Sequence, residues 1–178
     1  MPILKLSDTI ASQIAAGEVV DRPVSVVKEL IENAIDAGAS EIRIDIRQAG
    51  KELIRVSDNG NGIPADELEL AVSRHATSKL SRTDDLFDIK TLGFRGEALA
   101  SIGSVSHLTL ISKPEEAETG AKLSVDGGVN SSLTRIASPT GTEILVEDLF
   151  YNVPARLKFL RKDITESRHI TGLVTRYA

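Results

Sequence analysis

The chain has 178 residues, 41% of them hydrophobic and only 3% aromatic, so any sizeable core has to be aliphatic. It has no cysteine, and its three histidines (His75, His107 and His169) stand far apart, which excludes disulfides, thiolate catalysis and sulfur-bound zinc. The net charge of −5 is uneven: residues 1–150 carry 15 Lys/Arg against 24 Asp/Glu, residues 151–178 six against two, so the body is a poor binder of polyanions and only the last stretch could touch one.

Residues 7–17 suit a short helix or an ordered arm, and nothing near the start has the apolar stretch of a signal peptide. No run approaches the roughly 18 apolar residues of a membrane span. A reducing compartment is expected, cytoplasmic by default and nuclear in a eukaryote. Residues 22–37 read as a helix, with Asp21 as N-cap, Pro23 in the first turn and Gly38 as the stop. Ile42, Ile44 and Ile46 alternate with charged residues, the pattern of a strand buried on one face, and Leu53–Ser57 reads as a second strand. Pro64 opens a helix to about Ser73, and a further short helix is expected from Gly96 to Ile102. Val105–Ser112, Ala121–Val125, Ser132–Ile136 and Thr142–Val146 read as strands, with Asp126-Gly127-Gly128 as a hairpin turn. Residues 154–177 are expected to be helical in two pieces. Strict βαβα alternation is absent. The expected fold class is therefore α+β: a two-layer sandwich whose mixed, mostly antiparallel sheet is covered by helices on one face.

Four segments could carry chemistry. On the helix, Val27, Leu30, Ile31, Ala34 and Ile35 share an apolar face, and Glu29, Glu32, Asn33 and Asp36 fall on the other. Glu29 and Asn33 are four residues apart, so a carboxylate able to take a proton from water can meet an amide oxygen able to ligate a hard cation. Asp58-Asn59-Gly60-Asn61-Gly62-Ile63 leaves a strand, and its glycines let backbone approach a flat ligand beside an acidic acceptor. Gly93-Phe94-Arg95-Gly96-Glu97-Ala98-Leu99 opens a helix with amides available to phosphate. Thr142 follows Gly141 at a strand start, placed to bond a base or a water beside Asp58. Taken singly, these read more simply as a solvated amphipathic helix, a tight turn, a helix entry and a strand start. No G-x-x-x-x-G-K-[ST] is present, so the P-loop route to nucleotide is closed.

Taken in order, E-x-x-x-N, D-x-G-x-G, a Gly-x-x-Gly loop and G-T resemble the GHKL ATPases, which share the Bergerat nucleotide-binding fold. The resemblance sharpens toward the MutL-type mismatch-repair branch of that family. It rests there on Ile14-Ala15-Ala16-Gly17-Glu18-Val19, Arg74-His75-Ala76-Thr77-Ser78-Lys79, the 93–99 segment and Asp148-Leu149-Phe150-Tyr151-Asn152-Val153-Pro154-Ala155-Arg156. It implies ATP and Mg²⁺ as ligands. Glu29 would activate the attacking water and Asn33 would ligate the metal, with Asp36 beyond it. Asp58 would hold the adenine amine beside Gly60, Gly62, Ile63 and Thr142. Thr77, Ser78 and Lys79 would belong to a lid, and Gly93, Phe94, Arg95, Gly96, Glu97, Ala98 and Leu99 would face the phosphates. It also implies an arm over residues 1–20, an ATP-binding domain over 21–155, and a helical segment over 156–178 leading to a second domain that this sequence lacks. In the family that domain supplies a lysine to the γ-phosphate, so the expectation is a chain that binds ATP and hydrolyses it poorly alone. No endonuclease metal motif is present. The implied partners are a second copy on ATP binding, a MutS-type mismatch sensor, a downstream endonuclease or helicase, and DNA, bound weakly by this region. A histidine-kinase module would need a phosphoacceptor histidine on a dimerisation helix before the Asn33 helix, and none stands there. A plain DNA-binding scaffold is disfavoured by the acidic body.

Overall fold

A computed structural model describes residues 8–74, 76 and 96–178, with side chains from residue 14 onward. The elements are α1 (Asp8–Val19), α2 (Pro23–Asp36), β1 (Ile42–Arg47), β2 (Leu53–Asp58), α3 (Leu68–Ala71), α4 (Ala98–Ser104), β3 (His107–Lys113), β4 (Gly120–Asp126), β5 (Val129–Asn130), β6 (Thr134–Ile136), β7 (Gly141–Glu147), α5 (Pro154–Phe159) and α6 (Asp163–Tyr177). The sheet runs β1-β2-β7-β3-β4-β5, with β6 also paired to β4. Every pairing among the described strands is antiparallel, so the expected parallel component is not seen there.

Alternation decides which face of the sheet is covered. Leu108, Leu110 and Ser112 point inward from β3, and Ile54 and Val56 from β2. They meet Val26, Val27, Leu30 and Ile31 of α2, with Phe150, Leu149 and Ile102, in one aliphatic core. The outward face stays polar: Arg55 of β2 pairs with Glu143 on the neighbouring strand β7 at 2.5 Å and approaches Asp45 on its other neighbour, β1, at 3.9 Å. Helix α6 packs on α2 and on the short 3-10 turn at Gln48–Gly50.

Three local readings need correction. The N-cap of α2 is Arg22, not Asp21; the Asp21 carboxylate accepts the Ser25 hydroxyl instead. The helix expected from Pro64 is a 3-10 turn (Ala65–Glu67) leading into the single turn of α3. The turn at Gly127-Gly128 connects β4 to the two-residue β5, and β6 pairs independently with the other end of β4. In each case a short polar segment had several local solutions, and packing selected one.

Candidate active site

Three adjacent strands end together. Register places Asp58 of β2 opposite Thr142 of β7, and Thr142 opposite Ser112 of β3. These residues form one cross-strand row on the wall that faces α2. Asp58 Oδ1 accepts the Gly60 N–H at 2.8 Å, and the carboxylate also takes a backbone bond from Thr142. Ser112, almost wholly buried, donates to the Gly141 carbonyl at 3.0 Å and accepts the Ile63 N–H at 2.8 Å. Its oxygen lies 2.8 Å from Thr142 Oγ1. With the Ser112 proton spent on Gly141, Thr142 donates to Ser112 and keeps its lone pairs for a ligand or water. Ser112 was not singled out in the sequence. Its one signal there is its place on the inward-facing alternation of β3.

The loop after Asp58 is docked against the end of α2. Asn61 N–H donates to the Ala37 carbonyl at 2.9 Å, and Ala37 N–H in turn closes on the Asn33 carbonyl at 3.0 Å. Asn59 braces the next turn by accepting the Ser40 and Glu41 N–H groups, each at 2.9 Å. Gly62 has φ +70°, and a Cβ there would meet the Lys113 carbonyl, so only glycine fits this approach. Gly60 is similarly close to Ala37. The 58–63 loop is thus tied through Gly60 and Asn61 to Ala37 at the end of the helix bearing Asn33, and through Gly62 and Ile63 to the end of β3. Glu29, Asn33 and Asp36 are half-buried on α2, as is Thr142 on β7.

Gly96, with φ +60°, and Glu97 lead into α4, where Ala98 and Leu99 form the first turn; that helix packs on α1 and β4. Thr77, Ser78, Lys79, Gly93, Phe94 and Arg95 lie outside the described residues. One element of the helix reading is overturned. Glu32, placed with the solvated residues, is 6% exposed, and Ile35, placed on the apolar face, is 38% exposed. The covering of Glu32 comes from α6, whose Tyr177 hydroxyl donates to Glu32 Oε1 at 2.6 Å. Ile35 lies in the last turn, where the buried face runs out.

Burial pushes the Asp58 carboxyl above its ordinary value, against the lowering pull of the Gly60 and Thr142 amides. The sign follows directly. Below the ordinary value of 3.8 both folded and unfolded chains hold the proton and Asp58 contributes nothing. As pH rises the unfolded chain ionises first, so the fold carries a cost that is fully present above the raised value. Without nucleotide, Asp58→Asn is expected to melt above the parent at neutral pH, with the gap closing as pH falls below that ordinary value. Thermal denaturation across pH checks this; a gap independent of pH would contradict it.

The donor set suits magnesium of one kind. Among the described residues no three His, Cys, Asp or Glu gather into a metal cage. An amide oxygen at Asn33 beside carboxylates is instead the hard, sparse set that magnesium accepts when phosphates and water complete its shell.

Residues 22–149 match the family model described as histidine kinase-, DNA gyrase B-, and HSP90-like ATPase. The DNA mismatch repair protein MutL of Brucella abortus (strain S19) is 58% identical over 176 residues, which is 99% of this chain and 28% of that protein. The Aquifex aeolicus MutL ATPase domain complexed with ADP superposes with TM-score 0.69 at 38% identity, covering 90% of this chain and 56% of that one. A structure described as the N-terminal domain of a DNA repair protein superposes with TM-score 0.76 at 36% identity, covering 97% and 50% respectively. The chain therefore spans little more than a quarter of the length of the curated relatives it matches.

Proposed function

Because the chain belongs to the histidine kinase-, DNA gyrase B- and HSP90-like ATPases, we propose that it is the ATP-binding and ATP-hydrolysing region of a MutL-type mismatch-repair protein. The observation that carries this is the row Asp58–Thr142–Ser112, locked by its own hydrogen bonds and joined through Asn61 and Ala37 to the helix of Glu29 and Asn33.

In this reading the adenine amine donates to Asp58, whose second acceptor role, toward Gly60 and Thr142, keeps the carboxylate aimed. Thr142 Oγ1 accepts from the base edge or a bridging water. Glu29 orients a water and takes its proton as it attacks the terminal phosphate. Phosphoryl transfer asks little covalent help of a protein and much positioning. Asn33 would hold Mg²⁺, which when bound neutralises charge on the phosphate oxygens. Asp36 stands one turn beyond Asn33. Thr77, Ser78 and Lys79, with the amides of residues 93–99, would close over the phosphates. Residues 1–20 would serve as the arm of a nucleotide-dependent dimer, and residues 156–178 as the joint to a following domain whose lysine completes hydrolysis. A mismatch sensor, a downstream nuclease or helicase, and DNA would then read the ATP state. No helix among the described residues is long and apolar enough to cross a membrane.

Nucleotide selectivity tests the assignment of the base pocket. Guanine presents a carbonyl where adenine presents its amine, so two acceptors would confront each other at Asp58. GTP is expected to bind at least ~10²-fold more weakly than ATP, as unpaired or opposed polar groups in a built site demand. Equal affinities in equilibrium dialysis would remove Asp58 from the base pocket.

A further inference from the structure

Ser112 spends its whole hydroxyl inside the fold. It is 2% exposed, on the inward face of β3. A serine hydroxyl has one proton to give and two lone pairs to offer. The proton goes to the Gly141 carbonyl, which can only accept, at 3.0 Å. One lone pair takes the Ile63 N–H at 2.8 Å. The other faces Thr142 Oγ1 at 2.8 Å, and the proton in that gap is the one Thr142 supplies. Thr142 is held a second time through its backbone N–H, which goes to the Asp58 carboxylate. Its hydroxyl is therefore fixed in direction, and what it shows to the space beside Asp58 is lone pairs alone.

We propose that Ser112 is a specificity-determining residue of the base pocket: by holding the Thr142 proton it sets Asp58 and Thr142 side by side as two acceptors, and so selects a purine that carries an exocyclic amine and a bare ring nitrogen next to it. The inference rests on the reading of Asp58 as the acceptor for the base. Ser112 acts through Thr142, as a positioning residue. The amine of such a purine donates to Asp58. A water between Thr142 and the base has to give one proton to Thr142, which leaves its other proton for the ring nitrogen. A purine with a carbonyl in place of the amine reverses both positions: its oxygen confronts the carboxylate, and its ring nitrogen bears a proton where the water would donate. Were the Thr142 hydroxyl free to turn, it could donate to that water, and the water could then accept from the ring N–H. The polarity of the pocket is thus decided one residue behind its wall. The same Ser112 oxygen, through Ile63, also holds the 58–63 loop against β3.

The test is equilibrium binding of ATP and of inosine triphosphate to the full-length protein. The base of inosine triphosphate carries a carbonyl and a ring N–H in place of the amine and the bare nitrogen. The quantity read is the ratio of the two affinities. Ser112→Ala is expected to lower the preference for ATP about tenfold, because the released Thr142 hydroxyl can donate as well as accept. In a Thr142→Val background the same substitution is expected to leave the ratio unchanged, since no hydroxyl remains to be oriented. A ratio in Ser112→Ala equal to that of the parent would overturn the proposal, also where both affinities fall together, because a merely loosened pocket loses both nucleotides alike. A drop in the ratio that persists in the Thr142→Val background would overturn it as well. Should circular dichroism show Ser112→Ala unfolded, Ser112→Cys, close in shape but with a weaker acceptor, decides by the same ratio. Asp58→Ala run alongside separates the two layers. If it binds ATP like the parent, the base-pocket reading itself fails; if it loses ATP while Ser112→Ala keeps the parent ratio, only the role of Ser112 fails.

Discussion

Glu29→Ala is expected to cut ATP turnover by about 10²–10⁴, or roughly 3–5 kcal/mol of barrier, while ATP binding stays close to that of the parent. Both halves follow from position. Glu29 is half-buried on α2, one helical turn before Asn33, whereas Asp58, Thr142 and Ser112, the proposed base pocket, lie at the sheet ends. In the proposed reading, removing the carboxylate takes away the group that receives the proton of the attacking water and leaves the adenine contacts intact. The loss should therefore fall on the chemical step, the signature of an interaction made mainly in the transition state. Single-turnover hydrolysis and equilibrium dialysis on the full-length protein separate the two quantities. Unchanged hydrolysis would dismiss Glu29 as the base.

Asp58→Ala should show the converse: ATP affinity lost by about 10²-fold or more, so that turnover follows binding down. The carboxylate is the acceptor for the adenine amine in the proposed pose, and it also fixes the Gly60 and Thr142 amides. Truncation leaves those donors without their partner and loosens the loop whose Asn61 and Gly60 lean on Ala37. The desolvated carboxylate costs the fold stability, so Asp58→Asn should bind ATP poorly and melt no lower than the parent. That pairing separates a binding defect from a folding defect. An Asp58→Ala protein that binds ATP normally would place adenine elsewhere.

Much of this arrangement is written in local pattern. Alternation at Ile42, Ile44 and Ile46 yields β1 with the intermediate–exposed alternation of a half-covered strand. Pro23 and the stop at Gly38 bracket α2 to within a residue, because φ restriction and left-handed backbone act without reference to the rest of the chain. The glycines of the 58–63 segment are equally legible, since close backbone approach permits no other residue at Gly62. Boundaries failed where segments were short. The 3-10 turn at Ala65–Glu67 and the two-residue β5 each gain too little locally to be fixed without their neighbours.

Periodicity of 2 and 3.6 tells which side chains share a face, and order of motifs tells which chemistry is on offer; both act over a few residues and can be heard in the chain alone. What lies opposite each face is a matter of long-range burial. The pairing of Asp58 with Thr142 spans 84 positions and that of Thr142 with Ser112 spans 30, and the row exists only because β7 inserts between β2 and β3. Glu32 looked solvated for the same reason, as nothing near it announces that Tyr177, 145 positions away, will cover it. Such contacts form when distant apolar faces collapse together and carry their polar neighbours with them, so the core, rather than any local preference, sets the partners of the site.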